Sequence, residues 1–146
     1  MKKISNSFEF NDHFTGRLAV FCSDERFVEA NLTFLKDSLE IRRSDLMVLP
    51  GGPIFIINDE PDLLERLNIL IKAHKIKQII LISHSDCSYY KINFNDLSKE
   101  EIFEKQMDDN KEAINKLERL FKDISVSAYH AQINDSKVIN YTQIQS

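Results

Sequence analysis

The run Arg17 to Cys22 is short and almost continuously apolar, which is the pattern of a strand covered on both faces. Gln78 to Ser83 repeats the pattern more strongly, and Leu46 to Leu49 is a third, shorter run. Between them the apolar residues change period. Phe27, Ala30, Asn31, Phe34 and Leu35 recur at three- and four-residue spacing, so a helix follows the first run. Asp59-Glu60-Pro61-Asp62 signals a helix start, with Leu63, Leu64, Leu67, Leu70 and Ile71 turned inward and an end near His74-Lys75. Ser98 with Glu101 makes a capping box for the longest helix. Its expected buried stripe is Ile102, Phe103, Met107, Asn110, Ile114, Leu117, Leu120 and Phe121. Ile124 to Ala131 and Lys137 to Tyr141, parted by Asn134-Asp135-Ser136, read as a strand and a hairpin partner. Ile54 to Ile57 suits either a strand or the start of a helix. This order is that of an α/β fold, a mainly parallel central sheet flanked by helices.

Residues 1–16 are mostly polar and read as a lead-in, leaving 17–146 as a single domain. A chain of 146 residues can bury a substantial core. The net charge of -4 gives no electrostatic case for nucleic acid or an anionic membrane as partner. No apolar stretch approaches the roughly 20 residues that span a bilayer, and no apolar signal core follows Met1. A cytoplasmic protein acting on a small molecule is therefore the expectation.

In open α/β sheets, ligands bind beyond the carboxyl ends of the strands. Cys22, the Pro50-Gly51-Gly52-Pro53 turn, His84 and Cys87 all fall at such ends and share one edge. Two thiolates and an imidazole suffice to hold zinc with one position open. Asp24 lies two residues beyond Cys22, and Arg26 two beyond that. A carboxylate paired with arginine stays ionised and oriented, able either to accept a hydrogen bond from a metal-bound hydroxide or to become the fourth ligand. The rivals explain less. A disulfide staple is not needed by a cytosolic chain of this size. A phosphatase loop on Cys22 and Arg26 lacks the spacing and the glycines, and a Cys22–His84 hydrolase leaves Cys87 idle. A Cys22–Cys87 redox pair would need neither His84 nor Arg26. The glycine turn lacks the Lys-Ser/Thr of a phosphate loop.

Cys22-x-Asp24-x-Arg26 and His84-x-x-Cys87 resemble the paired motifs of the β-class carbonic anhydrases, and His84-Ser85-Asp86-Cys87 is close to that family's His-Thr-Asp-Cys. The resemblance covers roughly residues 17 to 141 and is specific at the two motifs. It implies a β-carbonic-anhydrase-like fold, Cys22, His84 and Cys87 as zinc ligands, Asp24 and Arg26 as a catalytic dyad, and a homodimer or higher homo-oligomer. The implied reaction is reversible hydration of carbon dioxide by zinc-bound hydroxide, rising through the alkaline range. The chain also departs from that family. Leu49-Pro50-Gly51-Gly52-Pro53 replaces Arg-Asn-Ala-Gly-Asn, Ser88 replaces a glycine, and Tyr89-Tyr90 follow it. A zinc-holding but silent homologue, or a variant acting on another linear electrophile such as carbon disulfide, are the alternatives these departures raise.

The remaining polar residues read as structural. His74 suits a helix C-terminus, and His13 and His130 read as surface or packing residues. Asp86 is either a group supporting the metal site or a loop cap. Lys111, Glu112, Lys116, Glu118, Arg119 and Lys122 read as the solvated face of the long helix.

Overall fold

The centres of strands β1 (Arg17–Phe21) and β3 (Gln78–His84), residues 18–21 and 79–82, are apolar because each is covered on both sides. Leu18, Val20, Ile79 and Leu81 face one layer, where Phe55, Leu67, Ala113 and Leu117 meet them. Ala19, Phe21, Ile80 and Ile82 face the other, against Phe27, Leu35, Ile41 and Ala131. Each of the larger side chains contributes about 1.5–3 kcal/mol when fully withdrawn from water, so the two layers supply much of the drive to fold. The computed structural model describes residues 1–4 and 6–145.

The other elements are α1 (Glu25–Asp37), β2 (Asp45–Val48), α2 (Ile54–Ile57), α3 (Pro61–Ala73), α4 (Ser88–Asn93), α5 (Lys99–Leu120), β4 (Ser125–Ile133) and β5 (Ile139–Ile144). The sheet runs β2-β1-β3-β4-β5, with the first four strands parallel and β5 antiparallel to β4. This is the mainly parallel α/β sheet that the alternation of periods predicts. The expected capping box is complete. Ser98 Oγ accepts from the Glu101 amide at 3.1 Å, and the Glu101 carboxylate accepts from the Ser98 amide at 2.7 Å. Ile54 to Ile57 is helical: Pro53 already has helical backbone angles, and its carbonyl accepts from Ile56.

Four readings need correction. Phe103 and Leu120 belong to the outer face of α5, at 43% and 55% exposure. Their places on the inward stripe are taken by Gln106, Asp109 and Ala113. Lys116 is not on the solvated face, because its Nζ donates to the Ile56 carbonyl at 2.6 Å and pairs with Asp59. The stretch from Cys87 to Ser98, which its polarity marks only as a connection, contains α4, whose Tyr90 is buried. The lead-in carries more apolar surface than its polar composition suggests, since Ile4, Phe8 and Phe10 lie exposed. Its end is tethered: Phe14 stacks on His74 with ring centroids 3.8 Å apart, and Arg43 donates to the His13 carbonyl. His74 caps α3, as its position suggested, and pairs with Asp45 at 2.5 Å.

These assignments separate two leucines three residues apart on α5. Leu117→Ala should destabilise the chain by about 2–5 kcal/mol in urea unfolding. Leu120→Ala should stay within about 0.5 kcal/mol. Equal losses would overturn the orientation of the helix.

Candidate metal centre

The register of the two central strands builds the site. Phe21 pairs with Ile82, so Cys22 leaves β1 beside the segment that ends in His84. The end of β2 is laced to the same place. Leu49 donates to the Phe21 carbonyl, Ser23 donates to the Leu49 carbonyl, and Gly52 donates to that same Leu49 carbonyl at 2.9 Å. Gly52 has φ of +54°, and a Cβ there would stand 2.8 Å from the Cys22 amide nitrogen. Only glycine combines that backbone with so close an approach.

Cys22 and Cys87 Sγ and a ring nitrogen of His84 lie within 4.8 Å of one another, and all three residues are buried. The two sulfurs are 4.0 Å apart. Tetrahedral zinc with Zn–S bonds of about 2.3 Å would hold its sulfurs about 3.8 Å apart, so the spacing fits. His84 Nδ1 lies 2.7 Å from the Ser85 carbonyl, which can only accept, so Nδ1 carries the proton. Nε2 is thereby left as a lone-pair nitrogen, buried and without a hydrogen-bond partner. Such an atom, facing two thiols, suits a metal better than a proton. Gln106 Nε2 donates to the His84 carbonyl at 2.9 Å, and Phe27 lies against the ring at 4.1 Å between centroids.

The thiols point the same way electrostatically. The hydrogen bond from Cys87 holds the Cys22 thiol low, helped by the backbone at Asp24 and Gly51. The same bond, with burial, pushes Cys87 up. The opposed directions reflect the repulsion that two neighbouring thiolates would feel. A second buried negative charge 4.0 Å from the first needs a cation between them.

Asp24 caps α1, its Oδ1 accepting from the Arg26 amide at 3.0 Å. The Arg26 side chain returns to the same carboxylate, with Nε 3.0 Å from Oδ1 and Nη2 2.6 Å from Oδ2. That fork lowers the Asp24 carboxyl to about 2. Oδ2 sits 4.0 Å from His84 Nε2, at the edge of the cluster. The structure thus brings Cys22, Asp24, Arg26, His84 and Cys87 together.

The residues that differ from the β-class pattern form one packing unit. Tyr89 lies across Gly51, whose added Cβ would be 2.8 Å from the ring, and Asn58 donates to the Tyr89 hydroxyl at 3.2 Å. Tyr90 turns inward and donates to Asp109 Oδ2 at 2.9 Å; burial, first, and the carboxylate push its phenol far up. Sequence reasoning expects both tyrosines beside the metal site, where they pack, but not the partners each one takes. It also missed Gln106, although a glutamine on the inward face of a helix signals a buried polar partner. His130 is a packing residue, as expected, and is fully buried. Burial lowers it to about 4, so the ring is neutral and accepts from the Ser83 hydroxyl at 2.9 Å. A cleft of about 1070 Å³ between α5 and the β4–β5 hairpin borders Arg26, Asp86 and Cys87, while Cys22, Asp24 and His84 lie outside its lining.

A family model described as "Putative carbonic anhydrase" matches residues 12–141. The Uncharacterized protein RC0076 of Rickettsia conorii is 30% identical over 80 residues, 51% of this chain and 43% of that relative, so the match spans under half of its length. β-Carbonic anhydrase isoform I of Trichomonas vaginalis superposes with a TM-score of 0.56 at 15% identity, over 95% of this chain and 87% of that one. CafD of Aspergillus fumigatus gives 0.58 at 12% identity, over 88% of each chain. One of two tetrameric β-carbonic anhydrases of Sordaria macrospora gives 0.57 at 13%, over 92% and 82%. At these identities the likeness establishes the fold.

Gly52→Ala should weaken zinc binding by about tenfold or more in a chelator competition, because the new Cβ displaces the Cys22 backbone. Gly16→Ala introduces a comparable left-handed strain, at φ of +72°, remote from the cluster. It should lower stability and leave zinc affinity alone. Equal effects of the two on zinc would refute the close approach as the cause.

Proposed function

The chain belongs to the carbonic anhydrase family, as a divergent β-class member, and on that premise we propose that it is a zinc-dependent lyase interconverting carbon dioxide and bicarbonate. The observation that carries this reading is the buried, unpartnered Nε2 of His84 facing two thiols, with an arginine-clamped carboxylate at the rim. Cys22, His84 and Cys87 would hold the zinc, and Asp24 and Arg26 would be the catalytic pair. Zinc bound there would make a water nucleophilic toward an electrophilic carbon near neutral pH.

Asp24 supplies direction. Both its oxygens are engaged by Arg26, so the carboxylate is turned toward the guanidinium, a state that favours water over Asp24 as the fourth ligand. With its carboxyl lowered to about 2, Asp24 is an acceptor throughout the neutral range and is not the group whose titration governs turnover there. Phe27 and the neighbouring core keep bulk water from the His84 ring, which strengthens the electrostatics of the site.

Two further elements belong to this reading. The exposed Phe8 and Phe10 and the edge strand β2, with Leu46 and Val48 exposed at 44% and 39%, support a homodimer or higher homo-oligomer. The Sordaria macrospora structures are of tetramers. Among the described residues no helix is long and apolar enough to cross a membrane. A silent zinc-holding homologue is the second reading, favoured by Tyr89 filling the space over Gly51.

Protein purified under reducing conditions should carry one zinc per chain and hydrate carbon dioxide with a rate that rises toward alkaline pH. Asp24→Ala should keep the zinc and lose about 100-fold or more in kcat, whereas His84→Ala should lose the zinc. Fully loaded protein with no hydration from pH 6 to 9 would leave the silent homologue standing and remove the lyase.

A further inference from the structure

Arg26 is a shared group. One edge of its guanidinium, Nε and Nη2, is committed to Asp24. The other reaches across to the loop after β3, with Nη1 3.0 Å from Asp86 Oδ2 and Nη2 3.3 Å from the Asp86 carbonyl. The second oxygen of Asp86 accepts from Lys91 Nζ, on α4, at 2.6 Å. Asp24 and Arg26 follow Cys22, while Asp86 lies between His84 and Cys87. The chain Asp24, Arg26, Asp86, Lys91 therefore braces together the two loops that carry the three ligand residues. Asp86 also adopts φ of +57°, a left-handed conformation that non-glycine residues hold chiefly where the surroundings impose it.

We propose that Asp86 and Lys91 are positioning residues that fix the Arg26 guanidinium at its second edge, and so hold Asp24 in the orientation that meets the metal's water. This rests on the lyase reading above. A planar guanidinium gripped along one edge by a residue two positions away can still swing outward with its side chain, which is half exposed. A second carboxylate on the opposite edge removes that freedom. Left alone, Asp86 would compete with Asp24 for the same cation. Lys91 prevents this by neutralising Asp86 and holding its other oxygen, so the quartet contains two carboxylates and two cations. Stability does not account for the arrangement, because ion pairs this exposed contribute little to folding. Orientation does: a small misplacement of a group that acts on the reacting atoms costs rate without costing fold.

The test uses zinc-loaded, full-length Asp86→Asn and Lys91→Met. Asparagine tolerates the left-handed backbone and methionine keeps the lysine stem, so both variants should match wild type in Tm and zinc content. Asp86→Asn should lower kcat for carbon dioxide hydration about tenfold at unchanged KM, with Lys91→Met in between. In an Asp24→Ala background the Asp86→Asn effect should shrink to about twofold or less, since it acts through Asp24. Solvent exchange of the Arg26 Nε–H, read by 15N NMR, should quicken about threefold or more in both variants. Unchanged Arg26 exchange in both variants, or a full Asp86→Asn loss that persists without Asp24, would overturn the proposal. Inactive wild-type protein would sink the lyase reading alone, and the exchange measurement would still decide whether Asp86 and Lys91 hold Arg26.

Discussion

The parallel pairing of β1 with β3 is the constraint on which the site depends. Arg17 through Phe21 run beside Gln78 through Ile82, so the chain leaves both strands at one edge within reach of a single ion. A slip of one residue would exchange the two faces of β1 and carry Cys22 out of range. Hydrophobicity alone guards poorly against that slip, because both faces are apolar. What holds the register is the glycine turn after β2. Gly52 lies so close to the Cys22 amide that no other residue fits, and the Leu49 main chain bonds to both Phe21 and Ser23. The turn brings no ionisable side chain and still decides where Cys22 sits.

That same turn makes sense of the chain's divergence. Tyr89 occupies the space above Gly51, and Tyr90 is anchored below by Asp109, which Lys105 also engages at 3.1 Å. Substitutions that look unrelated in the sequence meet as one aromatic wall on the Cys87 side of the cluster. The wall packs against both cysteines, and the cleft beside α5 reaches the cluster from the other side, past Arg26 and Asp86. Divergence has reshaped the surroundings of Cys22, His84 and Cys87, and the three residues still converge.

The fold was largely legible because its signals are local or repeat along the chain. Two apolar runs, a proline-led helix start and a capping box each act within a few residues, and the order of periods leads to a parallel sheet. The convergence of Cys22, His84 and Cys87 was legible for a related reason: strand ends meet in this architecture wherever they fall in the sequence. What escaped depends on contacts between distant residues. Leu120 and Lys116 were misplaced because α5 rotates to bring Gln106 beneath the His84 carbonyl and Asp109 beneath Tyr90. Those polar contacts override the apolar stripe that spacing alone suggests. The bridge from Arg26 to Asp86 joins residues 60 apart in the chain, and no pattern around either one announces it.

Two buried polar atoms among the described residues lack a hydrogen-bond partner, His84 Nε2 and Asn110 Oδ1, and their surroundings separate a ligand from a packing defect. Asn110 Oδ1 belongs to an amide whose nitrogen donates to the Gln106 carbonyl at 2.7 Å, beside a cavity of about 10 Å³ with room for no more than one water. No ionisable sulfur lines that space. His84 Nε2 has its tautomer set by the Ser85 carbonyl, two thiols within 4.8 Å and an aspartate oxygen at 4.0 Å. An isolated buried lone pair is a cost of packing. A lone pair that converges with two sulfurs unable to ionise together without a cation has the chemistry to receive a metal, and Asp24, clamped by Arg26, stands at the rim of that cluster.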